Sequence, residues 1–185
     1  MNDWWQSTFK PLNVSVVQRS DGWQVTVENK SDRKLTNARI VVSGYVMPLG
    51  SFAPNESRTI NVSTGQGTPL RDFVSKHGQN FHGAISSRQQ AFGATERVTD
   101  AQNASVAASF ISQMGVANPN APYSYMGNFI APPGLDLSTI VERGDAVVLA
   151  WVEGYSPIKP IYQFSPRRSH ADTLWRMAVQ VKPKA

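Results

Sequence analysis

Along the first third of the chain, apolar and polar residues alternate with the two-residue period of strands that bury one face. Leu12, Val14 and Val16 alternate with Asn13, Ser15 and Val17. After a turn at Ser20-Asp21-Gly22, Trp23, Val25 and Val27 alternate with Gln24, Thr26 and Glu28. Asn29-Lys30-Ser31-Asp32 forms a second turn. A longer strand is expected from about Thr36 to Val46, broken by Pro48-Leu49-Gly50 and by Ala53-Pro54-Asn55-Glu56-Ser57. Alternation resumes from Arg58 to Ser63 through Ile60 and Val62. Short strands with a turn every ten residues or so indicate a β-sandwich.

The longest unbroken apolar run comes much later, at Ala146-Val147-Val148-Leu149-Ala150-Trp151-Val152. Gly144 and Gly154 bound it, and it is too short for a helix that carries its own core, so it reads as a buried strand. A second strand is expected over residues 173–181. Leu174, Met177, Val179 and Val181 cannot all share one of its faces, which leaves its register open. Four or five strands before Thr68 are too few to close a sandwich, and this late pair supplies the missing ones.

Between the two β-rich ends the period changes to that of a helix. Thr68-Pro69 offers a capping hydroxyl and a proline at the first helical position. Leu70, Phe73, Val74, His77, Phe81, Ile85, Arg88 and Phe92 follow at helical spacing up to Gly93, with Gly78 and Gly83 as weak points. Thr99-Asp100-Ala101-Gln102 has the form of a capping box. After it, Val106, Ala107, Phe110, Ile111 and Met114 make one stripe before Gly115. Residues 116–133 are rich in Asn, Pro, Gly and Tyr and read as a long ordered loop.

Three segments carry a family resemblance: residues 25–31 (Val-Thr-Val-Glu-Asn-Lys-Ser), 35–42 (Leu-Thr-Asn-Ala-Arg-Ile-Val-Val) and 49–57 (Leu-Gly-Ser-Phe-Ala-Pro-Asn-Glu-Ser). Together they resemble bacterial immunoglobulin-like domains of the FxLyD kind over about residues 23–63. The resemblance implies a scaffold and a location, since such domains are commonly non-catalytic modules of envelope proteins. The fold expected is therefore α+β. An immunoglobulin-like β-sandwich would be built from residues 1–66 and 144–185, and residues 67–143 would form a helical insertion with a Pro/Tyr-rich loop.

Composition narrows the function without naming it. The net charge of +5 is spread thinly, at +2 up to Gln66, zero from Gly67 to Asp136 and +3 beyond. No basic stripe or nucleic-acid module is present, and no nucleic acid is expected as a partner. The chain has no cysteine, which rules out thiol chemistry and fits an extracytoplasmic bacterial protein. No apolar run approaches the length of a membrane span. Trp4-Trp5 beside Asp3 suits a membrane interface, which raises the expectation of a signal peptide or membrane anchor upstream of residue 1.

Candidate chemistry is sparse. His77 and His82 are five apart, about 140 degrees around a helix, so they cannot jointly hold a metal. Gly65-Gln66-Gly67 lacks the rest of a phosphate-binding fingerprint. The sequons at Asn13, Asn29, Asn55, Asn61 and Asn103 are expected to reflect β-turn chemistry and an Asn/Ser-rich composition. Ser169-His170-Ala171-Asp172 contains the letters of a triad, but sequence neighbours seldom converge as a triad requires. The strongest binding candidate is the loop over 154–172. It holds Tyr155, Tyr162 and Phe164, the cations Lys159, Arg167 and Arg168, and three stiffening prolines. The function expected is a non-catalytic binding or structural module of a bacterial envelope protein, meeting a protein or polysaccharide there without cofactor or metal. The alternatives are a hydrolase with its site near His170 and Asp172, and binding of an anionic polymer by the basic C-terminal region.

Overall fold

A computed structural model describes residues 11–78, 98–113, 134–156 and 172–183. Two antiparallel hairpins open the fold. β1 (Leu12–Arg19) and β2 (Gly22–Asn29) pair without slippage from Leu12↔Asn29 to Arg19↔Gly22. β3 (Leu35–Val42) and β4 (Tyr45–Phe52) form the second hairpin. The single strand expected over Thr36 to Val46 is therefore two strands. Ser43 (φ 49) and Gly44 (φ 76) both adopt the left-handed conformation, as a two-residue type I′ turn requires, and Val42 faces Tyr45 across it.

Pro48-Leu49-Gly50, expected as a break, lies inside β4. The short strand β6 (Thr68–Pro69) pairs only with Tyr45 and Val46. Past Val46 the outer side of β4 is a sheet edge, where a proline without an N–H is tolerated. Thr68-Pro69 thus makes a strand pairing instead of capping a helix, and α1 (Leu70–Gly78) begins one residue later. At Gly67 an added Cβ would lie 2.8 Å from Met47 Cγ and 3.2 Å from Tyr45 Cβ. Only glycine lets the chain cross β4 at that distance.

β5 (Ser57–Val62) pairs with β2. β7 (Ala146–Val152) pairs with β3, and β8 (Thr173–Val179) pairs with β7. β9 (Val181–Lys182) runs parallel to β1. Two sheets result, ordered β5-β2-β1-β9 and β6-β4-β3-β7-β8. Val41↔Val147 and Ile40↔Val148 join the two ends of the chain directly. The register left open over 173–181 has a physical cause: the chain leaves one sheet at Val179 and joins the other at Val181. Trp175, Met177, Val179 and Val181 all pack on the core between the sheets, while Leu174 packs on the opposite face. β8 is half-buried along most of its length, not buried as its apolar content suggests, because it is the outer strand of its sheet.

Three layers follow from these faces. Val16, Val25, Val27, Ile40, Met47, Phe52, Val148 and Ala150 fill the space between the sheets. On the far side of the five-stranded sheet, Val41, Val147 and Leu149 meet Leu70, Phe73 and Val74 of α1, and Val106, Ala107 and Phe110 from α2 (Val98–Ala108) and the residues after it. Val141 of α3 (Ser138–Glu142), a helix not foreseen from the sequence, completes this cluster. With both faces covered, all seven residues of β7 are buried, and each large aliphatic among them stabilises by about 1.5–3 kcal/mol relative to exposure.

Asn29 ties the turns of the sandwich end together and is fully buried. Its Nδ2 donates to the carbonyls of Arg33 and Ala53, each at 2.8 Å. Its Oδ1 accepts from Ser31 N at 3.1 Å and from Ser31 Oγ at 2.7 Å, which is an Asx turn with every side-chain valence in use. Glu56 Oε2 accepts from Ala53 N at 2.6 Å in the neighbouring corner. Of the residues behind the family resemblance, Asn29, Ser31, Ala53 and Glu56 are turn-forming ones.

Candidate functional site

One polar cluster interrupts the helix-covered face of the five-stranded sheet. Arg39 of β3 stands opposite Leu149 of β7, so its side chain rises on the face that carries Leu149 and Val147. The ladder is irregular between Leu35 and Arg39, and Asn37 within this bulge has φ 49. Such a bulge re-aims a side chain. Asn37 Nδ2 donates across to Gln102 Oε1 of α2 at 2.9 Å. Arg39 Nε donates to Asn37 Oδ1 at 3.1 Å, and Arg39 Nη2 donates to Asn103 Oδ1. The guanidinium carbon lies 5.1 Å from the centre of the Phe73 ring of α1, within cation–π range.

These bonds fix the direction of both amides. The Arg39 cation can only donate, so Asn37 must turn its oxygen toward it and its nitrogen toward Gln102. Gln102 must then present its oxygen to Asn37. Its Nε2 is left buried without a hydrogen-bond partner, in a residue only 4% exposed. Trp151, two residues from Leu149 and on the same face by the alternation of the strand, also buries an unpartnered Nε1. Burial lowers the pKa of Arg39, yet a guanidinium stays charged well above neutral pH. Among the described residues no carboxylate forms an ion pair with it.

A second arginine shares this face. Arg176 of β8 stands opposite Leu149 on the other side. It donates to the carbonyls of Leu135 at 2.6 Å and Gly134 at 3.3 Å, and burial lowers its pKa. Nearby in sequence, Asp136 accepts from Ser138 N at 3.0 Å, from Ser138 Oγ at 2.7 Å, and from Ser112 N and Oγ. Partial burial pushes the Asp136 pKa up, but these four bonds outweigh it and hold the carboxyl below its ordinary value. It serves as a tie between α3 and the turn after α2.

Of the residues expected to bind a partner, Lys159, Tyr162, Phe164, Arg167 and Arg168 lie outside the described residues, as do His170 and His82. Tyr155 is described. It is half-buried against the inter-sheet core, and the Arg33 guanidinium carbon sits 4.6 Å from its ring centre. Asp172 Oδ1 accepts from Gly154 N at 3.0 Å, and Thr173 Oγ1 donates to the Tyr155 carbonyl at 2.7 Å. Gly154 and Tyr155 are thus tied to Asp172 and Thr173 beyond the pair Val152↔Thr173. His77 packs its ring 4.6 Å from that of Phe73. A shallow cleft of about 130 Å³ between Arg19, Asp21, Trp23 and Asn61 is smaller than sites that enclose small molecules.

A family model described as a domain of unknown function, DUF8725, matches residues 11–182. The chain belongs to this family. No curated protein and no solved structure matches it. The DUF8725 match takes in both sheets, the helices among the described residues, the Arg39 cluster and residues 154–172.

Asn37, Arg39, Gln102 and Asn103 were not foreseen as site residues. One signal was present: Gln102 lies four residues before Val106 and eight before Phe110, a polar residue on an apolar helical stripe. Arg39 gives a second, breaking a strand that otherwise runs Ala38, Ile40, Val41, Val42.

Proposed function

We propose that this DUF8725 chain is a non-catalytic binding module. The observation that carries this reading is the chemistry of the Arg39 cluster. Its groups are two asparagines, a glutamine, a guanidinium and aromatic rings. None of them exchanges a proton near neutral pH, and none is an activated nucleophile. Among the described residues, the cluster offers groups that hold a ligand and none suited to transforming it. Asp172, half of the alternative hydrolytic pair, is occupied as a clamp on Gly154.

The loop over 154–172 is the second contact surface in this proposal, favoured by the clamped stem and the Arg33–Tyr155 stack. Flanking residues fixed in advance lower the cost of binding a partner between them. An immunoglobulin-like module of the bacterial envelope, facing protein or polysaccharide, is the setting we infer. It is supported by the absence of cysteine and by the FxLyD-like turn residues around Asn29 and Glu56.

The test is calorimetric titration of soluble envelope polysaccharides and peptides into the full chain. Saturable heat without turnover is expected, and Arg167→Ala with Arg168→Ala should weaken a loop-bound partner by about 1–3 kcal/mol. Steady release of new reducing ends or amines, abolished by His170→Ala with Asp172→Ala, would overturn the proposal in favour of a hydrolase.

A further inference from the structure

We infer that the Arg39 cluster is a site for an oxyanion, a carboxylate or a phosphate group, bound by Arg39 and Gln102 with the Trp151 indole beside them. The inference rests on the binding reading above and names the ligand class. Its basis is an imbalance of donors over acceptors. Asn37 Oδ1, Gln102 Oε1 and Asn103 Oδ1 are all occupied by donors within the cluster. The buried groups left over are the Gln102 Nε2 amide and the Trp151 Nε1–H, and both can only donate. Leaving such a group unsatisfied carries the full desolvation penalty of a buried donor, which a bound acceptor removes.

Charge selects among acceptors. Arg39 is partly desolvated and makes no ion pair with a described carboxylate. Its bonds go to neutral amides, which orient the guanidinium without neutralising it. Arg176, on the other side of Leu149, spends its bonds on backbone carbonyls and likewise keeps its charge. Two cations with no ion pair to a described carboxylate, in a partly dry interface, favour an anion over a neutral carbonyl, because charge-assisted bonds are roughly twice as strong as neutral ones. Trp151 and Arg39 are diagonal neighbours across β3 and β7, with Thr36 and Leu149 as their direct partners. Such diagonals lie within reach of long side chains.

Nuclear magnetic resonance of the full chain tests this. Inorganic phosphate, acetate and the neutral acceptor N-methylacetamide are titrated separately at constant ionic strength, while the Gln102 Nε2 and indole Nε1 signals are followed. Trp175 is the internal control, since its unpartnered Nε1 belongs to the core between the sheets. Saturable shifts of Gln102 and Trp151 with phosphate or acetate, and none of Trp175, are expected. Whichever anion saturates at lower concentration distinguishes phosphate from carboxylate ligands. Arg39→Gln should weaken the response tenfold or more, roughly the loss of one charge-assisted bond, while Arg39→Lys keeps part of it. If Arg39→Gln does not fold, Gln102→Leu replaces it, read at Trp151. A saturable response to N-methylacetamide alone overturns the oxyanion assignment and leaves a binding cluster. Silence toward all three probes overturns the assignment and removes the observation behind the binding reading.

Discussion

Asn37 Nδ2 donates to Gln102 Oε1 across 2.9 Å, and this bond, beside that of Arg39 to Asn103, links a strand bulge to the helix above it. Arg39 sets its direction, since a cation forces the Asn37 oxygen toward itself. The unpaired donor on Gln102 is thereby a consequence of the fold. Its upkeep has a measurable signature in stability. Gln102→Leu loses one hydrogen bond but also removes a buried orphan amide, and the two effects offset each other. Thermal melting should shift by no more than about 1 kcal/mol equivalent, or rise, as happens where a site is kept at the expense of stability. Destabilisation beyond 3 kcal/mol, on the order of a breached core, would make Gln102 an ordinary structural residue.

Asn29 is expected to be the most sensitive polar position. Asn29→Ala removes four hydrogen bonds at once, leaving the Arg33 and Ala53 carbonyls only the longer bonds from Ser31 Oγ at 3.1 Å and Glu56 N at 3.2 Å, and should cost about 2–4 kcal/mol in chemical denaturation. Asn29→Asp should be worse at neutral pH despite its similar shape, because a carboxylate there would face two carbonyl oxygens. Equal stability of the Asp variant would contradict the assigned amide orientation.

Phe110 is fully buried beneath the helices, whereas Ile111 next to it retains slight exposure. Phe110→Ala should cost roughly 3–5 kcal/mol. An unchanged melting temperature would remove the helical layer from the folding core.

Acid should loosen the tie between α3 and the turn after α2. The Asp136 carboxyl is held below its ordinary pKa by its four bonds to Ser112 and Ser138, despite the opposing effect of burial. A depressed folded-state pKa contributes stability that is present above the unfolded value and lost as pH falls through the folded one. Stability should therefore decline below the ordinary aspartate range. Asp136→Asn should flatten that decline, and equal acid slopes for the two proteins would place the cause elsewhere.

Much of the β framework was legible because alternation is a strong signal where one face is buried. Leu12 to Val27 reads directly as the first hairpin. The late apolar run at 146–152 reads as a strand because β-branched residues fill it. What failed depended on neighbours that no local window contains. Pro48 looked like a break, yet it sits on an edge created by the shortness of β6. Thr68-Pro69 looked like a helix cap, yet β4 claimed it. Val179 and Val181 looked irreconcilable because the strand changes sheets between them. The Arg39 cluster was invisible for the same reason: Asn37 and Gln102 are distant in sequence and meet only once β3 has bulged and α2 has covered it.

The helix-covered face exists only if strands from the two ends of the chain share one sheet, since Arg39 stands opposite Leu149 and Val41 opposite Val147. Cross-strand nuclear Overhauser contacts in the full chain test this most directly. Contacts between the backbone protons of residues 39 and 149, and of 41 and 147, are predicted, together with slow and matched amide exchange of Ile40 and Val148. Strands β3 and β7 that are each protected but show no contact with one another would contradict the shared sheet and, with it, the site.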